Sequence, residues 1–312
     1  MEPQPQRKFE RRKSFLFSTA ILLVVGFALL IVLFVGFTLV LPSFMGKCVA
    51  VVNVDMPIST AGESPSLISA GYSGSEEIAQ TVESLNNRGD VGAVLFVFDS
   101  PGGSVVATRE IYSAVKELNK PKVSYFREVA ASGAYYIASG TDYIVSDPDA
   151  ITGSIGVIAT FADMSGLLEK IGVNVTSVTS GSHKDIGGYY RPMTEEELNI
   201  TQALIQEVFT EFKDIVVQNR GSKLNAALFQ EVLDGRILTG RQAKSVGLVD
   251  ITGSKKDAIK KAADLGNITY SNVGDIRLCQ VSTTPEQTGL LGVSTLFRFL
   301  GIQKSPYGLN FN

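Results

Sequence analysis

An unbroken apolar stretch near the start constrains this chain most: no charged residue occurs from Ser14 to Gly46, and residues 15–41 are almost wholly apolar. A helix crosses a bilayer in about 20 such residues, so residues 15–41 are expected to form a transmembrane helix behind a basic tail at residues 1–14. Arg7, Lys8, Arg11, Arg12 and Lys13 flank the stretch on its N-terminal side, against Lys47 alone just beyond it. The positive-inside bias then leaves the N-terminus in the cytoplasm and sends everything after Gly46 outside. A cleaved secretory signal has a shorter apolar region, about 7–15 residues, ending in small residues. Pro42-Ser43-Phe44-Met45 does not supply that ending. The expectation is a single-pass cell-membrane protein with an extracytoplasmic domain.

The rest has room for one sizeable core, expected over residues 47–285, with residues 286–312 an unassigned tail. A formal net charge of −3 gives no broad basic surface for nucleic acid. Two cysteines and one histidine cannot fill a four-ligand zinc site of the usual spacing, so metal catalysis is not expected. Outside the cytoplasm a Cys48–Cys279 disulfide is chemically permitted, and two free buried thiols are equally compatible with the sequence.

Strand and helix signals alternate along the domain. A strand at residues 48–54 and a Pro/Ser/Gly-rich loop at 57–74 lead to a helix starting near Ser75, with Ile78, Val82 and Leu85 on one face. Ala93 to Phe98 is a continuous apolar run, typical of a strand buried on both faces of a parallel sheet, and Ala107, Ile111, Val115 and Leu118 follow in helical phase. Strands at residues 123–126 and 143–145 bracket a short helix from Ser132 to Ser139. Further strands are expected at Ile155–Ala159 and Val173–Val178, around a helix near 162–170. Thr194 and Glu197 form a capping box for a long helix carrying Leu198, Leu204, Ile205, Val208, Phe212 and Ile215, suited to core or subunit packing. This order predicts an α/β domain with a largely parallel sheet.

Two turns could hold chemistry. Asp99-Ser100-Pro101-Gly102-Gly103-Ser104 joins a buried strand to a helix, where uncovered glycine N–H groups can hold a developing anion. Ser132, in Ala130-Ala131-Ser132-Gly133-Ala134-Tyr135-Tyr136, sits at the first turn of a helix with the Gly133 N–H beside it. Its hydroxyl is either a nucleophile or merely a helix cap. A nucleophile needs a base, and the sole histidine, His183, adjoins Lys184. In an extended segment only one of the two can face Ser132. A lysine base must also lose its proton near neutral pH, which takes an apolar surrounding.

The blocks Asp99–Gly103, Ala130–Tyr136, Thr152-Gly-Ser-Ile-Gly-Val157 and Asp234-Gly-Arg-Ile-Leu-Thr-Gly240 with Gly247-Leu-Val-Asp250 occur here in this order. In them the chain resembles the signal peptide peptidase A family, membrane-bound serine peptidases of the ClpP/crotonase-like fold. The resemblance implies Ser132 as nucleophile, Lys184 as general base and Ser154 as the serine that positions the lysine. Gly102, Gly103 and Gly133 are implied as oxyanion donors, without fixing which pair acts. It further implies a homo-oligomeric ring, with Ser132 and Lys184 able to meet across a subunit boundary. Peptide substrates, above all remnant signal peptides at the membrane, and a reaction that needs no cofactor are implied as well.

Three other readings remain in view. A related Ser/Lys protease cuts the hydrophobic tails of stomatin-like proteins. A crotonase-like acyl-CoA enzyme also uses paired glycine N–H groups, although an outward-facing domain meets no CoA esters. A non-catalytic membrane scaffold of the same fold is the reading outside enzymes.

Overall fold

The computed structural model of the chain describes residues 25–33, 46–55, 57–63 and 72–281. The expected basic tail and C-terminal tail lie outside the described residues, as does the expected transmembrane segment apart from residues 25–33, which are helical (α1) and exposed. No helix among the described residues is long and apolar enough to cross a membrane.

The domain is built on parallel strands. β1 (Cys48–Asp55) runs beside β2 (Val91–Ser100) with Val51 opposite Leu95, and β2 runs beside β3 (Lys122–Ala131) with Val97 opposite Tyr125. Side chains along a strand alternate between faces, which makes two cores. Phe96, Phe98 and Phe126 meet Ile111 and Tyr135 in one, under α2 (Ser75–Ser84), α3 (Val105–Glu117) and α4 (Gly133–Ser139). Leu95, Val97, Val123 and Tyr125 meet Ala258 and Ala262 of α9 (Lys255–Leu265) in the other. Cover on both faces explains why β2 reads as a nearly continuous apolar run.

β3 changes partner half-way. Residues 123–126 pair with β4 (Tyr143–Ser146), whereas residues 129–131 pair with β5 (Ile151–Gly153), both parallel. After α5 (Ser165–Lys170), α6 (Glu195–Arg220) and α7 (Ala226–Glu231), β6 (Ile237–Thr239) adds antiparallel to β5. α8 (Gly240–Val246) leads to β7 (Ile251–Thr252), parallel to β4. The C-terminal strand β8 (Leu278–Gln280) lies parallel to β1. The sheet order is β6-β5-β3-β2-β1-β8, with β4 and β7 branching from β3. The α/β class with a largely parallel sheet is therefore as expected.

Two expected strands are absent. Residues 155–159 form none, because Gly153 (φ 78) and Ser154 (φ 49) turn the chain at the end of β5 and Ile155 drops into the core. Residues 173–178 form none either. Val173, Val175 and Val178 are exposed, and no described strand pairs with them. An apolar run without a ladder partner has nothing to hold it extended.

The long helix α6 begins at the expected capping box: Glu197 N donates to Thr194 Oγ1 at 3.2 Å and Thr194 N to Glu197 Oε2 at 2.9 Å. Its C-terminal half is packed through Phe212 and Val216, while Leu198 and Leu204 nearer the start are exposed. At its end the buried Arg220 donates to Asp250 Oδ2 at 2.9 Å, and Asp250 also accepts from Ile144 N at 2.8 Å, which ties α6 to β4. Cys48 and Cys279 are joined in a disulfide with Cα atoms 5.9 Å apart, fastening β8 to β1.

Candidate active site

Three site segments follow the carboxyl ends of three adjacent parallel strands: Gly102-Gly103 after β2, Ser132 after β3, and Ser154 after β5. That edge is where ligands of open α/β sheets bind.

At the first turn Gly102 has φ 96, and a Cβ there would lie 2.6 Å from Gly133 N and 3.0 Å from Ser132 Cβ. Only glycine fits. Ile58 N donates to Gly102 O at 2.8 Å, and Ser104 N donates to Ile58 O at 2.8 Å. In a trans peptide the C=O and the following N–H point opposite ways, so the Gly103 N–H faces away from Ile58. A Cβ on Gly133 would stand 3.4 Å from Gly103 N, which places the two amides side by side. Neither N–H has an acceptor among the described residues. Two such free amides can stabilise an oxyanion.

Ser132 occupies the sharp bend between β3 and α4 with φ 54 and ψ −122. A non-glycine residue in that region is strained by roughly 1–3 kcal/mol and persists only when its surroundings hold it. Here they do: Ser132 N donates to Gly153 O at 3.0 Å and Ser132 O accepts from Tyr136 N at 2.9 Å. The side chain makes no capping bond, which leaves Oγ free and removes the reading of Ser132 as a helix cap. Ser154 is likewise at positive φ, its N–H donating to Arg236 O at 2.9 Å.

Ser132 lies between two cavities. An open groove of about 480 Å³ is shared with Ser154, Asp234, Gln206 and Phe209. A smaller cavity of about 110 Å³ is shared with Gly103, Gly133, Tyr136 and Phe212. That is somewhat less than the roughly 150 Å³ that accepts benzene, a size suited to one aliphatic side chain. Thr108, Arg109 and Glu211 also line it. Tyr136 donates to Glu211 Oε1 at 3.3 Å, and Arg109 pairs with the same carboxylate. Burial, then the Glu211 carboxylate, pushes the Tyr136 hydroxyl up to about 12, so it stays a neutral donor. These three lining residues were not singled out in the sequence, where a Thr, an Arg and a Glu on helices read as ordinary helix surface.

Lys184 is placed elsewhere. Residues 180–190 form successive turns rather than an extended run, so strand alternation does not choose between His183 and Lys184. Lys184 is exposed, His183 is half-buried with Nε2 3.5 Å from Glu196 Oε1, and neither lines the two cavities beside Ser132. Within one chain the structure thus gathers Gly102, Gly103, Ser132, Gly133 and Ser154, and leaves Lys184 apart.

The family model for peptidase family S49 matches residues 114–269, a span that includes Ser132, Ser154 and Lys184. The chain belongs to this family. A candidate protease of Methanocaldococcus jannaschii is 38% identical over 73% of this chain and 72% of its own length. A candidate signal peptide peptidase of Enterococcus faecium is 34% identical, covering 72% of this chain and 67% of that one. A chloroplastic serine protease of Arabidopsis thaliana is 30% identical over 83% of this chain, which spans only 37% of that longer protein. Within this peptidase family, the cluster of free amides around a strained serine is the chain's candidate catalytic centre.

Proposed function

We propose that the chain is a membrane-anchored serine endopeptidase of the ClpP/crotonase-like fold that degrades remnant signal peptides at the membrane. The supporting observation is Ser132 itself: it is held at φ 54, its hydroxyl is uncapped, and the free N–H groups of Gly103 and Gly133 lie beside it. Ser132 Oγ attacks the peptide carbonyl, and those two amides receive the oxyanion. Lys184 takes the serine proton and returns it to the leaving amine, and water then hydrolyses the acyl-enzyme. Ser154, which lines the same groove as Ser132, is suited to hold the lysine.

Lys184 is exposed in the single chain, so we place it in a neighbouring copy's groove within a ring. An apolar N-terminal stretch and a disulfide are both consistent with an anchored, extracytoplasmic domain.

The test is hydrolysis of an apolar signal-peptide substrate by the full chain in detergent, comparing wild type with Ser132→Ala, Lys184→Ala and His183→Ala. Ser132→Ala and Lys184→Ala should each lose on the order of 10⁴-fold or more in kcat, with His183→Ala active. Full activity in Lys184→Ala together with loss in His183→Ala would reject the dyad. A strong preference for stomatin-type tail peptides over signal peptides would reject the substrate assignment alone.

A further inference from the structure

Lys184 stands free in a segment that is fastened on both sides of it. Its ammonium has no hydrogen-bond or ion-pair partner among the described residues. His183, one residue before, approaches Glu196. Asp185, one residue after, is gripped by Arg191: Nε donates to Oδ2 at 3.0 Å and Nη2 to Oδ1 at 2.8 Å. Tyr190 adds a hydroxyl bond to Oδ2 at 3.0 Å.

The same guanidinium reaches the buried Glu197, with Nη2 donating to Oε1 at 2.6 Å and Nη1 to Oε2 at 2.8 Å, and Nη1 also donates to Pro192 O at 3.1 Å. These bonds use every N–H of the fork. Glu197 is itself the capping-box residue of α6.

We propose that Arg191 is a positioning residue for the general base: it couples Asp185 to the first turn of α6 and so fixes the direction in which Lys184 is presented. The inference rests on the reading of Lys184 as the base. With its neighbours anchored, Lys184 has only side-chain rotamers left to order when it enters a groove, and less entropy is lost. A lysine at position 191 could serve one carboxylate at a time, whereas the planar fork serves both. The stretch between Asp185 and Arg191 is pinned once more, through Met164 N donating to Tyr189 O at 2.6 Å. The titratable groups bonded to Arg191 or Asp185 are Asp185, Glu197 and Tyr190, and His183 beside Lys184 meets Glu196.

The experiment measures kcat and KM from pH 6 to 10 for the full chain in detergent, with thermal unfolding alongside, in wild type, Arg191→Gln, Arg191→Lys and Lys184→Ala. Arg191→Gln is expected to lower kcat by roughly 10–100-fold, the scale of a small misplacement of a reacting group, with KM within twofold. The acid limb of kcat should move as well, because the base that sets it is no longer held in place against Ser132. Arg191→Lys should recover part of the rate. If Arg191→Gln fails to fold, Asp185→Asn, which spares the Glu197 cap, carries the same expectation. A lower unfolding temperature with kcat, KM and acid limb unchanged overturns the proposal, as does a loss of rate that only tracks the unfolded fraction. A fully active Lys184→Ala overturns the base assignment and the clamp together, whereas an inactive Lys184→Ala beside a normal Arg191→Gln overturns the clamp alone.

Discussion

Gly102 shows how little freedom the centre has. Its φ of 96 and the 2.6 Å approach to Gly133 N leave no room for a Cβ, so Gly102→Ala must move the amide pair. Losing alignment of one oxyanion donor costs about 10²–10³ in kcat. The expected outcome for Gly102→Ala is a fall of that size with KM little changed, read from steady-state hydrolysis, and an unchanged kcat would contradict the role given to the turn. The glycine turn and Ser132 were legible as candidates because they follow the carboxyl ends of buried strands, but a structural turn and a helix cap fitted the same residues, and the resemblance chose between the readings. Lys184 was not legible on its own terms. Its type and neighbourhood match a solvated turn, and only the resemblance singled it out.

The Arg191 clamp also sets a pH response. Arg191's hydrogen bonds, above all other causes, hold the Asp185 and Glu197 carboxyls well below the carboxylate range, each to about 2. A carboxyl whose pKa is lowered by folding contributes stability that is complete above its unfolded value, about 4. That contribution is lost as pH falls from about 4 towards 2. Protection of the Ile186 and Gly188 amides, which donate to His183 O and Asp185 O, is expected to drop in this window before that of β2. Equal protection of both down to pH 2 would contradict the clamp.

Among the elements, the parallel strands and the capping box at Thr194 were readable because each has a local cause: two-faced burial gives a continuous apolar run, and the box is a fixed spacing of side chains. The strands expected at residues 155–159 and 173–178 failed because pairing is not local. The first is pre-empted by the bend at Gly153 and Ser154, and the second lacks a ladder partner. The partnership of Arg220 with Asp250 was hidden for the same reason, since it spans α6 and the end of the Gly247–Asp250 block. Burial of Asp250 raises its pKa, but the bonds from Arg220 and Lys223 outweigh it and the net shift is down. Asp250→Ala leaves Arg220 buried without its partner, a loss of about 3–5 kcal/mol. Denaturant unfolding should show it, and a loss under about 1 kcal/mol would contradict a buried pair. The disulfide fastening β8 to β1 is expected to contribute about 2–4 kcal/mol, so Cys279→Ser should lower Tm by roughly 4–16 °C. No shift in Tm on reduction would contradict the bond.

At the scale of the molecule, a parallel sheet delivers three turns to one edge, and that edge holds the candidate nucleophile Ser132 and two free amides, with neither His183 nor Lys184 lining the cavities there. Lys184, which we propose as the base for Ser132, is carried on the segment held by Arg191. Large apolar side chains are exposed on the described surface, among them Ile158 (86% exposed), Val178 (95%) and Leu204 (61%). We read this division as that of a subunit whose neighbour supplies the lysine.

The central claim, that Lys184 activates Ser132, is tested most directly by covalent labelling. A peptidyl phosphonate with an apolar side chain is incubated with the full chain in detergent, and the adduct is located by peptide mass spectrometry in wild type, Lys184→Ala and His183→Ala. A phosphonate is expected on Ser132 in wild type and His183→Ala, with labelling of Lys184→Ala slowed by at least about 100-fold. A label on any other residue, or Lys184→Ala labelled at the wild-type rate, would contradict it.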